Sequence, residues 1–276
     1  MFATADLAAR LDRAEASLCG SMARLLGERD PARRTFITPI AGGAAIYAGA
    51  GAPMNKLIGA AFDALPDEHD VERIEAQYAE RNSPFQAEVS TLANPDFIRL
   101  LLRRGYYFQG YENLLGRRLA EMDASDPHVT VEPCASADAQ KTWIELLAEA
   151  FTTLDVGGVG GDVLPSRDAI FEWGSLSAAT PGLTCYLARY DGEPAGGGAL
   201  YLDAGVAILS GAGTHPVFRR RGVQTTLLRA RLAHAAASGA EFAMVTTQPG
   251  SKSQQNVQRE GFSLLYSRAL LVRPCA

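Results

Sequence analysis

Arg219-Arg220-Arg221-Gly222-Val223-Gln224 stands where two hydrophobic periodicities meet. Upstream, Val206-Ala207-Ile208-Leu209-Ser210-Gly211-Ala212-Gly213 is a short apolar run suited to a buried strand. Downstream, Val223, Leu227, Leu228, Leu232 and Ala235 recur at helical spacing over Val223 to Ser238. The hexapeptide is therefore the turn from a strand into a helix N-terminus. There the first amides lack intrahelical acceptors and the helix dipole favours an anion, while Gly222 lets a ligand approach the backbone with no Cβ in the way. Three arginines in a turn would ordinarily be a solvated charge run. Beside a glycine at a helix start they predict a loop that holds a diphosphate.

This loop resembles the pyrophosphate loop of the GNAT superfamily of acyl-CoA-dependent N-acyltransferases, which reads Arg or Gln, two residues, Gly, one residue, Gly or Ala. Arg219 and Gly222 match, and Gln224 replaces the small last residue. Thr246 to Phe262 resembles the family's next strand end, loop, helix and closing Gly-Phe turn. With Thr214-His215-Pro216 upstream, the resemblance spans residues 128 to 273. It implies acetyl-CoA as the acyl donor, with cofactor contacts from Gly213, Thr214, Arg219, Arg220, Arg221, Gly222, Val223 and Gln224. Asn256 resembles the family's helix residue that hydrogen-bonds the pantetheine arm. Ser253 either touches the cofactor or caps its helix. The resemblance also implies that the family's fourth and fifth strands splay to admit the CoA arm, and the small side chains of Ser210 to Gly213 leave room for it.

At 276 residues the chain has room for about two domains, each with its own core. Its 47% apolar and 21% charged residues are those of an ordinary globular protein. A net charge of -5 argues against nucleic acid as a partner. Cys19, Cys134, Cys185 and Cys275 form no CxxC pair and have no spaced histidines, so neither a metal site nor a disulfide framework is expected, and reduced thiols fit a cytoplasmic protein. Met1 to Arg29 reads as an amphipathic helix, because Asp6, Arg10, Asp12, Arg13 and Glu15 interrupt its apolar runs. Nowhere is there an apolar run long enough to span a membrane, so no membrane partner is expected.

Sliding the chain on itself by 156 residues places Val89 on Val245, Thr91 on Thr247, Arg103 on Arg259, Gly105 on Gly261 and Leu114-Leu115 on Leu270-Leu271. The shared order of strand, loop, helix, Gly-aromatic turn and strand indicates two copies of one unit. A second correspondence, Ile46 to Pro53 with Ile208 to Pro216, aligns Gly49-Ala50-Gly51 with Gly211-Ala212-Gly213 at a different offset. At the first offset Arg221-Gly222 falls on Leu65-Pro66, followed by Asp67, Glu68, His69 and Asp70, which would repel a diphosphate. The expected architecture is mixed α/β, with tandem GNAT-like units, each a twisted mixed sheet flanked by helices. Residues 1–126 form a degenerate copy without a CoA loop, acting as a wall or lid. Residues 127–276 form the acetyltransferase copy, Leu264 to Val272 closes its sheet, and Ala124 to Pro127 is the linker.

An amine must lose a proton to attack a thioester, and the departing thiolate can take one up. Many family members place a tyrosine four residues before the Gly-Phe turn, where this chain has Val257. Tyr266 and Tyr201 are the candidate acids, and Asp155, Asp162, Glu172, Asp203 and His215 the candidate bases. Val156 to Asp162 is glycine-rich but lacks the Lys-Ser/Thr ending of a P-loop, so a substrate loop or a linker fits it better. Gly196-Gly197-Gly198 fits either a bulge beside a ligand or a tight hairpin after Asp191-Gly192. The expected activity is transfer of acetyl to the primary amine of a small molecule or peptide. A noncatalytic acyl-CoA-binding sensor or scaffold is the alternative, favoured by Val257.

Overall fold

The strand and helix patterns are realised in the computed structural model, which describes residues 1–119, 128–153 and 166–275. The first elements in chain order are α1 (Ala5–Arg29), β1 (Phe36–Ile40), β2 (Gly43–Tyr47), β3 (Lys56–Ile58), α2 (Glu68–Ala79), β4 (Phe85–Ser90), α3 (Pro95–Arg103) and β5 (Tyr107–Arg118). They are followed by β6 (Val129–Pro133), α4 (Ala137–Thr152), α5 (Arg167–Ala179), β7 (Leu183–Tyr190), β8 (Glu193–Asp203) and β9 (Val206–Thr214). The last are α6 (Val223–Ala237), β10 (Phe242–Thr247), α7 (Lys252–Arg259) and β11 (Ser263–Arg273). Among the described residues no helix is long and apolar enough to cross a membrane.

The chain forms two compact units. Their division differs from the expected cut at 126/127, and the expected linker lies outside the described residues. The first unit comprises Met1–Leu115, Thr246–Pro249 and Ser263–Ala276, and the second Gly116–Val245 and Gly250–Phe262. Thus β11, expected to close the second copy's sheet, is built into the first unit. It pairs antiparallel with β4, from Arg268↔Ser90 to Arg273↔Phe85.

The first unit's strands run β1-β2-β3-β4-β11-β5, with parallel pairing between β3 and β4. Its apolar core stacks Tyr78 on Phe85 at 4.3 Å and gathers Tyr47, Phe97, Leu101 and Leu271. Beside that core is a buried charge cluster. Arg268 of β11, 0% exposed, donates to Asp12 at 2.5 Å, Glu15 at 2.7 Å, Glu112 at 3.2 Å and Glu88 at 3.4 Å. Lys56 of β3 donates to Glu15 at 2.7 Å and Glu88 at 3.1 Å. Stranding a buried arginine without carboxylates costs about 3–5 kcal/mol, which favours β11 being where Arg268 finds its partners. Asp12 and Glu15, which break up the apolar pattern in the sequence, lie on the buried face of α1.

The second unit orders its strands β10-β9-β8-β7-β6, antiparallel except for β9 and β10. Successive residues of a strand point to opposite faces, and Gly196, Gly197 and Gly198 of β8 use this alternation. A Cβ on Gly196 would lie 2.7 Å from Val223 and one on Gly198 2.8 Å from Arg231, both on α6; one on Gly197 would lie 2.6 Å from Trp143 on α4. The glycine run thus lies in the second strand of the tight β7–β8 hairpin, which turns at Asp191-Gly192 with Tyr190 paired to Glu193, and there it lets helices on both faces approach. Gly49 to Gly51 follows β2 as a turn, whereas Gly211 to Gly213 lies within β9, so the second correspondence does not pair like elements.

Candidate active site

The hexapeptide folds as the turn its flanks require. Arg220 and Gly222 adopt left-handed backbone, at φ 65° and 77°, and α6 starts at Val223. Gly222 is the N-cap, and no side chain among the described residues caps the helix. The first i→i−4 bond runs from Thr226 N–H to the Gly222 carbonyl, so the amides of Val223, Gln224 and Thr225 precede the intrahelical ladder.

A cavity of about 600 Å³ opens at this helix start. Thr214, Arg219, Arg220, Gly222, Val223, Gln224 and Thr225 line one part, and Lys252, Asn256, Arg259 and Glu260 another. Asn256 donates to the side-chain oxygen of Gln224 at 3.1 Å, tying α7 to α6. Glu260, the carboxylate among these residues, is paired with Arg229 at 2.8 Å. The Thr214 hydroxyl oxygen is buried with no hydrogen-bond partner among the described residues.

β9 approaches this cavity through a bulge. Its register with β8 passes from Gly213↔Gly197 to Ser210↔Ala199, so Gly211 and Ala212 stand opposite Gly198 alone. Gly211 takes φ +57°, and a Cβ there would lie 2.1 Å from the Trp173 indole of α5. On its other edge β9 pairs with β10 from Val206↔Phe242 to Ile208↔Met244, after which the register ends although both strands continue.

Residues 141–262 match the model of the acetyltransferase (GNAT) family. They are a GNAT domain. No curated protein sequence matches the chain. Solved structures with a similar fold include a GCN5-related N-acetyltransferase from Kribbella flavida, at 20% identity and TM-score 0.68 over 98% of this chain and 96% of that one. A tandem GNAT protein from the clavulanic acid biosynthesis pathway aligns at 12% identity and TM-score 0.57, over 98% and 96%. A GCN5-related N-acetyltransferase from Sphaerobacter thermophilus aligns at 16% identity and TM-score 0.54, over 76% and 67%. The first unit is therefore GNAT-like in fold, beside the GNAT domain proper.

Within the GNAT domain the cavity gathers most, but not all, of the loop and helix residues read from the sequence. Thr214, Arg219, Arg220, Gly222, Val223, Gln224 and Asn256 line it. Gly213 does not; its Cβ position is 2.8 Å from Ala150, so the glycine there makes room for α4. The Arg221 guanidinium turns away to lie 5.4 Å from the Tyr190 ring centroid and 6.0 Å from that of Phe218. Arg219 donates to the Ala150 and Thr153 carbonyls at 3.3 and 3.2 Å, holding the end of α4. Ser253 is neither a lining residue nor the cap, because Ser251 caps α7 by accepting from Gln254 N–H at 3.2 Å. Lys252 and Arg259 are cations that the loop motif did not single out; their signal was position, one and eight residues past the cap, at the ends of a short helix.

Neither candidate acid lines the cavity. Tyr266 sits in the first unit, donating to Asp12 at 2.5 Å, and burial followed by the Asp12 charge pushes its hydroxyl well above the ordinary range. Tyr201 is 5% exposed in β8, beside Gly182. Val257, at the family's tyrosine position, is also 5% exposed. His215 has both ring nitrogens engaged: Nε2 meets Glu149 at 2.6 Å and Nδ1 accepts from Val217 N–H at 3.4 Å. Glu172 and Asp203 lie on α5 and at the end of β8, outside the cavity lining. Asp155, Asp162 and the glycine-rich Val156 to Gly161 fall outside the described residues.

Proposed function

We propose that this protein is an acetyl-CoA-dependent N-acetyltransferase that moves acetyl directly from the thioester to the primary amine of a small molecule or peptide. The observation that carries this reading is the uncapped start of α6 opening into a cavity with Arg219, Arg220, Lys252 and Arg259 on its walls. In it the amides of Val223, Gln224 and Thr225 hold the CoA diphosphate, because unsatisfied N–H groups, the helix dipole and nearby cations all favour an anion there. The Gln224–Asn256 pair and the Thr214 hydroxyl supply polar contacts where the arm leaves the diphosphate for β9.

The chemistry then needs little from side chains. A neutral amine attacks the thioester carbonyl, its nitrogen gives up a proton to water, and the C–S bond breaks to release CoA as a thiolate that solvent protonates. Holding the two reactants in line accounts for much of the acceleration. Backbone amides of the β9 bulge, rather than Tyr266 or Tyr201, stabilise the developing oxyanion.

The placement of both tyrosines outside the cavity also favours a second reading, a noncatalytic acyl-CoA sensor. Thiol release from acetyl-CoA, measured across a panel of primary amines, separates the two. The enzyme releases thiol in step with acetyl-amine formation, and Tyr266→Phe retains the wild-type kcat. Binding of acetyl-CoA without amine-dependent release would leave only the sensor.

A further inference from the structure

We propose that Arg231 is a positioning residue that holds the β9 bulge in the shape presenting the Gly211 and Ala212 backbone to the acyl thioester. The proposal rests on the acetyl-transfer reading above. Arg231 lies on α6, two turns beyond the cofactor loop, and is 2% exposed. Its guanidinium meets backbone carbonyls: Nη1 donates to Ala199 O at 3.0 Å and Ser210 O at 3.4 Å, and Nε to Leu227 O at 3.2 Å. Burial lowers its pKa to about 10, with the Tyr186 charge opposing that fall.

An apolar side chain of similar length would fill this space without desolvating a charge, so the guanidinium calls for another reason. Ala199 and Ser210 are the register pair at which the ladder resumes after the bulge. A bulge leaves its extra residue outside the ladder, and a buried carbonyl without a donor is costly. Arg231 Nη1 donates to both strands at that point, fixing where the two-against-one step occurs. Gly198, the residue opposite the bulge, lacks the Cβ that would lie 2.8 Å from the guanidinium. Trp173 packs against Gly211 from α5. Arg231 thus fixes the bulge where β8 and β9 rejoin and Trp173 packs against Gly211, so the step keeps one shape two residues before Thr214, which lines the cavity.

The test compares Arg231→Met, Arg231→Lys and Gly198→Ala in the full chain. Thiol release gives kcat and KM; calorimetry gives affinities for acetyl-CoA and for ADP, which has a diphosphate but no arm. Arg231→Met should leave ADP affinity within about twofold and lower kcat about 100-fold, the scale of a misplacement of about 1 Å. It should also weaken acetyl-CoA more than ADP. Arg231→Lys should recover part of kcat, since an ammonium can still donate to both carbonyls. Gly198→Ala, which displaces the guanidinium and leaves its charge, should repeat the Met pattern if the Met variant fails to fold. Wild-type kcat and an unchanged acetyl-CoA to ADP ratio in the folded variants would overturn the role of Arg231. No acetyl-CoA affinity in the wild type would overturn the parent reading and this proposal together. If the wild type binds without turnover, the parent reading alone fails and the affinity ratio decides.

Discussion

The first unit has its own recess at the start of α2, lined by Leu65, Pro66, Glu68, Asp96, Leu100 and Arg103. Moving these forward by 156 residues gives Arg221, Gly222, Gln224, Lys252, Asn256 and Arg259, and all but Arg221 line the recess at α6. The two copies therefore keep the same concavity at the same place and differ in what fills it. At α2 the Asp67 side chain accepts from His69 N–H at 2.8 Å, so a carboxylate already occupies the helix start. At α6 a glycine cap leaves that place open. Glu68 and Asp96 stand where Gln224 and Lys252 stand in the other copy. On the proposed reading, in which the second recess alone takes a diphosphate, the cap and the sign of its surroundings are what set the two helix starts apart.

The strongest way to break this comparison is to close the open cap. Gly222→Glu should abolish acetyl-CoA binding, because it puts a carboxylate at the helix start and a Cβ at φ 77°. Gly222→Ala, which brings the strain without the charge, is the control and should keep measurable affinity. Calorimetry on the wild type should give one acetyl-CoA per chain. A second equivalent would show that the first unit retains a site despite Asp67, Glu68 and Asp96.

A milder change sharpens the role of charge. Lys252→Asp gives the second recess the residue of the first, and should weaken acetyl-CoA by about 1–2 kcal/mol, the size of replacing one solvated attraction with a repulsion. High salt should shrink the loss, since screening acts on solvated charges. Arg221→Ala should change affinity less than twofold because its guanidinium lies over Tyr190 and Phe218. A loss for Arg221→Ala as large as that for Lys252→Asp would mean that both arginine and lysine reach the diphosphate.

Most of the loop was legible because its signals are local: an apolar strand, a glycine and a helical period within one stretch of chain. The repeat was legible for the same reason, as paired residues at a fixed offset. Side-chain direction was not. Nothing in three consecutive arginines says that Arg221 turns onto aromatic rings while Arg220 lines the cavity. The affiliation of β11 was hidden as well, since its apolar alternation suits either sheet. What distinguishes them is Arg268, whose carboxylate partners come from α1, β4 and β5, far away in sequence. Asp12 and Glu15 read in the sequence only as charges that interrupt the apolar runs of an amphipathic helix, and Arg268 is the buried counter-charge that the sequence does not show.

The smallest expected effect concerns how the first unit uses its charge, buried among its own strands rather than turned to a ligand. Burial raises Glu112 from 4.5 to about 7, with the Glu88 and Glu15 charges adding to the rise. Burial also opposes ionisation of Glu15, but Arg268 and Lys56 outweigh it and hold that carboxyl at about 2. The two groups have opposite linkage. Glu112 binds its proton more tightly in the folded chain, so its contribution is present below pH 4.5 and is lost as pH rises through 7. Glu15 contributes above pH 4.5 and loses that contribution as pH falls towards 2. Glu112→Gln should therefore remove part of the stability decline between pH 5 and pH 8 in urea unfolding, with the variant gaining on the wild type towards pH 8. Acetyl-CoA affinity should be the same for both at either pH, because Glu112 belongs to the unit that holds β11 and the α6 recess contains none of its partners. An unchanged slope between pH 5 and pH 8 would mean that Arg268 keeps Glu112 ionised throughout that range.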